Sequence, residues 1–215
     1  VDAQNGSVKW LIETLRFQKA PSDHIGFGNI DGSFLTLNVT KTDKSPYQQT
    51  QILFSSESGK KLFESNDTIG HVSVSDNIVV TLDRDEKKLK VSTLSDGQLR
   101  RDLLQEYYAK NKDAISYKTV MFDYSTAYVV LGTYYTVSPE PDRLAAFDLV
   151  SGKKLWEKTA QYLYGYERYV GNWFISNPLT PGNPEIMYLY QDNLDSIVAV
   201  RKKDGTKLWS LDLKS

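Results

Sequence analysis

Two histidines, two acidic runs and a row of tyrosines are the side chains in this sequence whose types and spacing could do chemistry. His24 and His71 could serve as metal ligands or general bases. Either role needs partners that the sequence does not set beside them, so both read as surface or strand histidines. Asp83-Arg84-Asp85-Glu86 and Asp192-Asn193-Leu194-Asp195 gather the oxygen donors that a hard cation takes. Each run falls where a turn between strands is expected, and Asp and Asn are ordinary turn formers. The chain has no cysteine, which removes disulfides, thiolate zinc sites and cysteine nucleophiles together. Gly26-Phe27-Gly28 lacks the helix that would aim backbone amides at a phosphate, and reads as a loop entering a strand.

The aromatic row is Tyr162, Tyr164, Tyr166, Tyr169, Trp173 and Phe174. Its period of two puts several phenols on one face of a strand. Tyrosine-rich faces bind well because they bury area at low entropic cost and keep a polar tip. The same rings could instead fill space between packed sheets, and both readings stand at this point. Asn38-Val39-Thr40 and Asn66-Asp67-Thr68 are glycosylation acceptors if the chain is secreted by a eukaryote.

The elements that would position these groups repeat along the chain. The clearest copy is Ala146-Phe147-Asp148-Leu149-Val150-Ser151-Gly152-Lys153-Lys154-Leu155-Trp156. A second is Ala199-Val200-Arg201-Lys202-Lys203-Asp204-Gly205-Thr206-Lys207-Leu208-Trp209. Weaker copies set Gly6 before Trp10, Gly59 before Phe63, and Gly97 before Arg101. Each has the grammar of a β-hairpin: an alternating strand, a turn ending in glycine, and a second strand. The glycine supplies the positive φ that the turn needs. Ala and Trp then lie on opposite arms, where a small side chain leaves room for an indole.

Further strands are expected upstream, at Ser33 to Val39, Asn77 to Leu82, Thr126 to Leu131 and Glu185 to Tyr190. A glycine spacing of roughly 40 to 55 residues suits one four-stranded blade per repeat. The one helix candidate is Arg101 to Lys110. The fold class is therefore all-β, a β-propeller of four-stranded blades over residues 1–215, with hairpins near 1–15, 51–64, 89–102, 144–158 and 197–213. The first copy begins inside its own motif at Val1, so the chain reads as about four and a half blades of a larger propeller. Residues 1–16 are expected either to pair with a segment from another chain or to pack irregularly.

Apolar residues make up 40% and charged residues 25%, which is globular composition and excludes a disordered chain. A net charge of −1 leaves no excess of cations to neutralise a phosphate backbone, so nucleic acid is not an expected partner. No run is long enough for a membrane span.

The stretch from Ala146 to Trp156 resembles the tryptophan-docking motif of quinoprotein (pyrroloquinoline-quinone) β-propellers. Ala199 to Trp209 matches it with Arg201 where Asp is usual, and Phe63 and Arg101 stand in two copies where the family has Trp. The family includes quinone-dependent dehydrogenases, a lipoprotein of bacterial outer-membrane assembly and, more distantly, lumenal domains of the endoplasmic reticulum. The resemblance implies that Gly6, Trp10, Gly59, Phe63, Gly97, Ala146, Gly152, Trp156, Ala199, Gly205 and Trp209 hold blades together. Trp156 and Trp209 are each expected against the alanine of their own blade.

A dehydrogenase of this family would need clustered metal ligands, a catalytic carboxylate and, in many members, adjacent cysteines. Without cysteine, the expectation is a non-enzymatic, extracytoplasmic binding or assembly-scaffold propeller with no cofactor. Its partner is expected to be a protein or peptide, with further blades of a parent protein beside it, and its binding residues to be Tyr162, Tyr164, Tyr166, Tyr169 and Trp173. A lumenal or extracellular sensor domain of a larger membrane protein is the alternative, and part of a quinone-dependent dehydrogenase a third. The intact reading frame would separate the first two, and a melting shift on adding quinone and calcium would reveal the third.

Overall fold

The computed structural model describes residues 11, 23–30, 33–41, 48–83, 88–105, 116–132, 142–159, 162–163, 173–175, 185–191 and 196–213, apart from the side chains of 29, 116–118, 173–175 and 191. The expected hairpin at 1–15 and its pairing lie outside these residues, as do Gly6 and Trp10. The chain divides into two units, Val1–Asp102 and Leu103–Ser215.

The first unit holds two sheets. One comprises β1 (His24–Ile30), β2 (Phe34–Lys41), β3 (Gln48–Ser55) and β4 (Lys61–Ser65). The other comprises β5 (Thr68–Ser73), β6 (Ile78–Asp83), β7 (Lys88–Thr93) and β8 (Leu99–Asp102). The second unit holds β9 (Ser116–Asp123), β10 (Thr126–Gly132), β11 (Arg143–Asp148) and β12 (Lys154–Thr159), followed by β13 (Trp173–Ile175), β14 (Ile186–Gln191), β15 (Ser196–Arg201) and β16 (Lys207–Asp212). Each sheet is a four-stranded antiparallel meander in chain order.

The strand sequences explain the layering. β6 (Ile-Val-Val-Thr-Leu-Asp) and β10 (Thr-Ala-Tyr-Val-Val-Leu-Gly) are nearly continuous runs of β-formers and are buried on both faces. The outer strands are more open: β12 is exposed or half-buried throughout and carries Lys154 and Lys158, and β16 is exposed from Leu208 onward. In the first unit Phe34 and Leu53 of one sheet pack on Ile69, Val72, Val79 and Leu94 of the other, and Leu37, Val39, Ile52 and Phe54 form a second cluster. In the second unit Tyr128, Val130, Leu144 and Ala146 pack on Met187, Leu189, Val198 and Val200.

The structure corrects the start of the helix expected over residues 101–110. Arg101 and Asp102 complete β8, Leu103 and Leu104 turn, and helical backbone is recorded at Gln105, with 106–110 outside the described residues. Arg101 lies opposite Val91 in the ladder, and those hairpin hydrogen bonds override the helix-forming composition of the segment.

Candidate functional site

Each sheet ends in the same turn, and that turn builds the site. Gly59, Gly97, Gly152 and Gly205 take φ of 68°, 72°, 72° and 70°, the left-handed region in which a Cβ is strained. The glycine N–H donates four residues back in every copy, to Ser55, Thr93, Asp148 and Arg201. The residue before each glycine locks the turn from outside: Ser58, Asp96, Ser151 and Asp204 accept from the N–H of Lys60, Gln98, Lys153 and Thr206. Three residues before the glycine, the N–H of Ser56, Leu94, Leu149 and Lys202 donates to the carbonyl at the mouth of the neighbouring strand pair, on Ser33, Asn77, Ser125 and Glu185. The Ser-Gly and Asp-Gly dipeptides are thus positioned by backbone demands, which is why they recur at fixed spacing.

Opposite the docking position the ladder is also the same four times. Phe63 faces Leu53, Arg101 faces Val91, Trp156 faces Ala146 and Trp209 faces Ala199, and in each case the register shifts immediately afterwards. The row extends to a third strand as Tyr128-Ala146-Trp156 and Tyr188-Ala199-Trp209. The rings of Tyr128 and Trp156 lie 6.0 Å apart at 43°, and those of Tyr188 and Trp209 5.8 Å apart at 44°. Alanine between two aromatics is the small residue that lets them tilt together.

Trp156 reaches beyond its own sheet. Its Nε1 donates to the carbonyl of Lys202 at 2.7 Å, and a Cβ on Gly205 would sit 2.6 Å from its Cε3. The indole therefore lies against the β15–β16 turn at the point where a side chain is missing. Phe63 does the same in the first unit, 3.5 Å from where a Gly97 Cβ would be. The two tryptophans are not equivalent: Trp156 is half-buried under the next sheet, whereas Trp209 is 46% exposed.

A charge pair fastens the same contact. Lys202 Nζ lies 2.7 Å from Asp123 Oδ2, with side chains only 8% and 13% exposed. Burial, followed by the Asp123 charge, pushes the Tyr128 phenol up to about 12. Tyr124, at φ 45°, makes the left-handed bend beside Asp123. Sequence reasoning missed Lys202, Asp123 and Tyr128. The available signal was a lysine three residues before the glycine, where two other copies carry leucine.

The remaining candidates are placed as follows. Tyr162 is exposed on helical backbone, not on the expected strand, with Lys158 Nζ 5.0 Å over its ring and its hydroxyl accepting from the Lys207 N–H at 3.4 Å. Trp173 opens β13 opposite Gln191, and Tyr164, Tyr166 and Tyr169 lie outside the described residues. His24 is exposed at the start of β1, and His71 is buried in β5. Asp83 meets Lys90 at 2.8 Å, and Asp67 meets the same ammonium at 3.1 Å. Burial opposes the Lys90 charge, but hydrogen bonds to Asp83 and Asp67 outweigh it and hold the ammonium well above its usual range. The rest of that acidic run, and Asp192 to Asp195, lie outside the described residues. Among the described residues no three His, Asp or Glu side chains gather as metal ligands. Asn38 sits mid-strand in β2 with Oδ1 buried, and Asn66 in an exposed bend after β4.

No family model and no curated protein matches this sequence. Solved structures do match. A quinohemoprotein alcohol dehydrogenase from Pseudomonas putida HK5 is similar at 15% identity and a TM-score of 0.52, over 86% of this chain and 33% of that one. A europium-containing methanol dehydrogenase is similar at 10% identity and a TM-score of 0.48, over 89% and 43%. BamB from Moraxella catarrhalis is similar at 14% identity and a TM-score of 0.34, over 91% and 76%. This chain thus spans about a third of the first of these enzymes. With the four antiparallel sheets, the first likeness shows the fold: these are β-propeller blades, two in each unit. No helix among the described residues is long and apolar enough to cross a membrane.

Proposed function

We propose that this chain is a non-enzymatic propeller that binds a protein partner and scaffolds its assembly outside the cytosol. The observation that carries the reading is the outer strand β16, where Trp209 and Leu211, two residues apart on one face, are 46% and 51% exposed, with Leu213 just beyond the strand at 47%. Apolar surface gains ~25 cal/mol per Å² when removed from water, and contiguous rows of it mark interaction sites. The ionic side chains that the blades bring together have framework partners: Lys202 with Asp123 inside one unit, and Lys90 with Asp67 and Asp83 inside the other. The extracytoplasmic setting follows the quinoprotein-type repeats of the sequence.

The test is affinity purification of the tagged protein from the extracytoplasmic fraction of its host, with a melting curve on the purified protein. A stoichiometric co-purifying protein, and a melting temperature unmoved by pyrroloquinoline quinone with calcium, are the expected results. A quinone-dependent rise in melting temperature with dye-linked alcohol oxidation would overturn the non-enzymatic reading.

A further inference from the structure

We propose that Asn66 is an acceptor site for an N-linked glycan and that Asn38, the other asparagine with a threonine two residues on, is not. The inference rests on the extracytoplasmic reading above, because the donor oligosaccharide is handed over outside the cytosol. It adds a modification site in the first unit, whereas β16 belongs to the second.

Asn38-Val39-Thr40 and Asn66-Asp67-Thr68 both satisfy the acceptor pattern. Their backbones differ. Asn38 stands in the middle of β2, with Gly26 of β1 opposite it on one side and Gln51 of β3 on the other. Its Oδ1 is buried, and its Nδ2 lies 3.9 Å from where a Gly28 Cβ would be. Strand rise holds Asn38 and Thr40 about 6.6 Å apart along β2. Two and four residues back on the same face are Thr36 and Phe34, and Phe34 packs with Leu53 onto the second sheet. A saccharide on Asn38 would need room in that packed face, so a chain modified there could not close the contact between the two sheets.

Asn66 lies in the short bend between β4 and β5 and is exposed. The bend is fixed beside it: the Asp67 N–H donates to Ser65 Oγ at 2.9 Å, and the Asp67 carboxylate meets Lys90 Nζ at 3.1 Å. The Thr50 hydroxyl donates to Asn66 Oδ1 at 3.0 Å, which orients the amide and leaves Nδ2, the atom that takes the sugar, outside that bond. A glycan here extends into solvent. It also adds hydrophilic bulk at the end of β4, an edge strand that no described strand pairs on its outer side. In the transfer, Nδ2 bonds to the anomeric carbon of an oligosaccharide carried on a lipid pyrophosphate. The bond from that carbon to the pyrophosphate oxygen breaks, the lipid pyrophosphate leaves with the electron pair, and the Nδ2 proton passes to a base of the host transferase.

The experiment secretes the full chain from a eukaryotic cell behind a cleavable leader. Its peptides are mapped by mass spectrometry after peptide N-glycosidase treatment in heavy-oxygen water, which labels each asparagine that carried a glycan. Expected are the label at position 66, an unlabelled Asn38, and a secreted protein heavier by one glycan. Asn66→Gln should return the protein to its bare mass, whereas Asn38→Gln should leave the glycan in place. Secreted protein bare at Asn66, or labelled at position 38, overturns the proposal. Fractionation of the protein's own host separates this outcome from the reading beneath it. Recovery from the cytosol sinks both, and recovery outside the cytosol with Asn66 bare in the secreted material sinks the glycan site alone.

Discussion

Trp156 Nε1 donates to the carbonyl of Lys202 at 2.7 Å, so an indole from one blade satisfies a backbone acceptor in the turn of the next. Removing the ring loses packing, tilt and hydrogen bond together. Trp156→Ala should cost up to the ~3–5 kcal/mol lost with a fully buried aromatic, the half-buried ring setting it toward the lower end. Trp156→Phe keeps most of the area but leaves the carbonyl unmatched, at about 1–3 kcal/mol. Trp209→Ala, at an open position, should stay within about 1 kcal/mol without a partner bound. Urea unfolding of the three variants checks the order, and equal losses at 156 and 209 would contradict it.

The glycines should separate by what stands over them. Alanine at Gly152 meets the left-handed backbone, φ 72°, at about 1–2 kcal/mol. Alanine at Gly205 adds a Cβ 2.6 Å from the Trp156 ring, which overpacking raises by a further ~1–3 kcal/mol. Gly205→Ala combined with Trp156→Ala should then lose less than the two single costs added, a coupling that a double-mutant cycle measures.

Lys202 and Asp123 are nearly buried, so taking away one partner strands the other charge. Asp123→Leu or Lys202→Met alone should cost ~3–5 kcal/mol, and the double substitution much less, because the desolvated charge is then gone. Denaturant midpoints of the single and double variants decide it. A double variant as unstable as the singles would show that the pair holds geometry and not only charge.

Tyr128 gives a pH signature. Its folded pKa of about 12 lies above the ordinary 10.0, because burial and Asp123 both oppose the phenolate. Above the unfolded value the unfolded chain gives up this proton and the folded chain keeps it. The contribution is therefore complete below pH 10 and lost as pH rises from 10 toward 12. Tyr128→Phe should flatten the alkaline fall in melting temperature over that window relative to the parent. An unchanged slope would place the phenol in solvent.

Much of the framework could be read along the chain because its demands are local. A left-handed φ calls for glycine, a strand buried on both faces calls for a run of Val and Ile, and an indole opposite a bulge calls for alanine. Each is met within about a dozen residues, so Gly59, Gly97, Gly152 and Gly205, with Ala146 opposite Trp156, were legible from spacing alone. The same local reading failed at Arg101 and Asp102, where helix-forming neighbours outweighed a strand pairing that depends on β7.

What the docking residues touch was decided only when the sheets stacked. Trp156 and Lys202 are 46 residues apart, and Asp123 and Lys202 are 79 apart. No periodicity records such a distance, because the contact belongs to two blades and not to either hairpin. Trp156 and Trp209 carry the same local motif, yet one is covered and one open. A motif specifies the shape of its own turn. Which face that turn buries depends on what packs over it, and that is a property of tertiary structure.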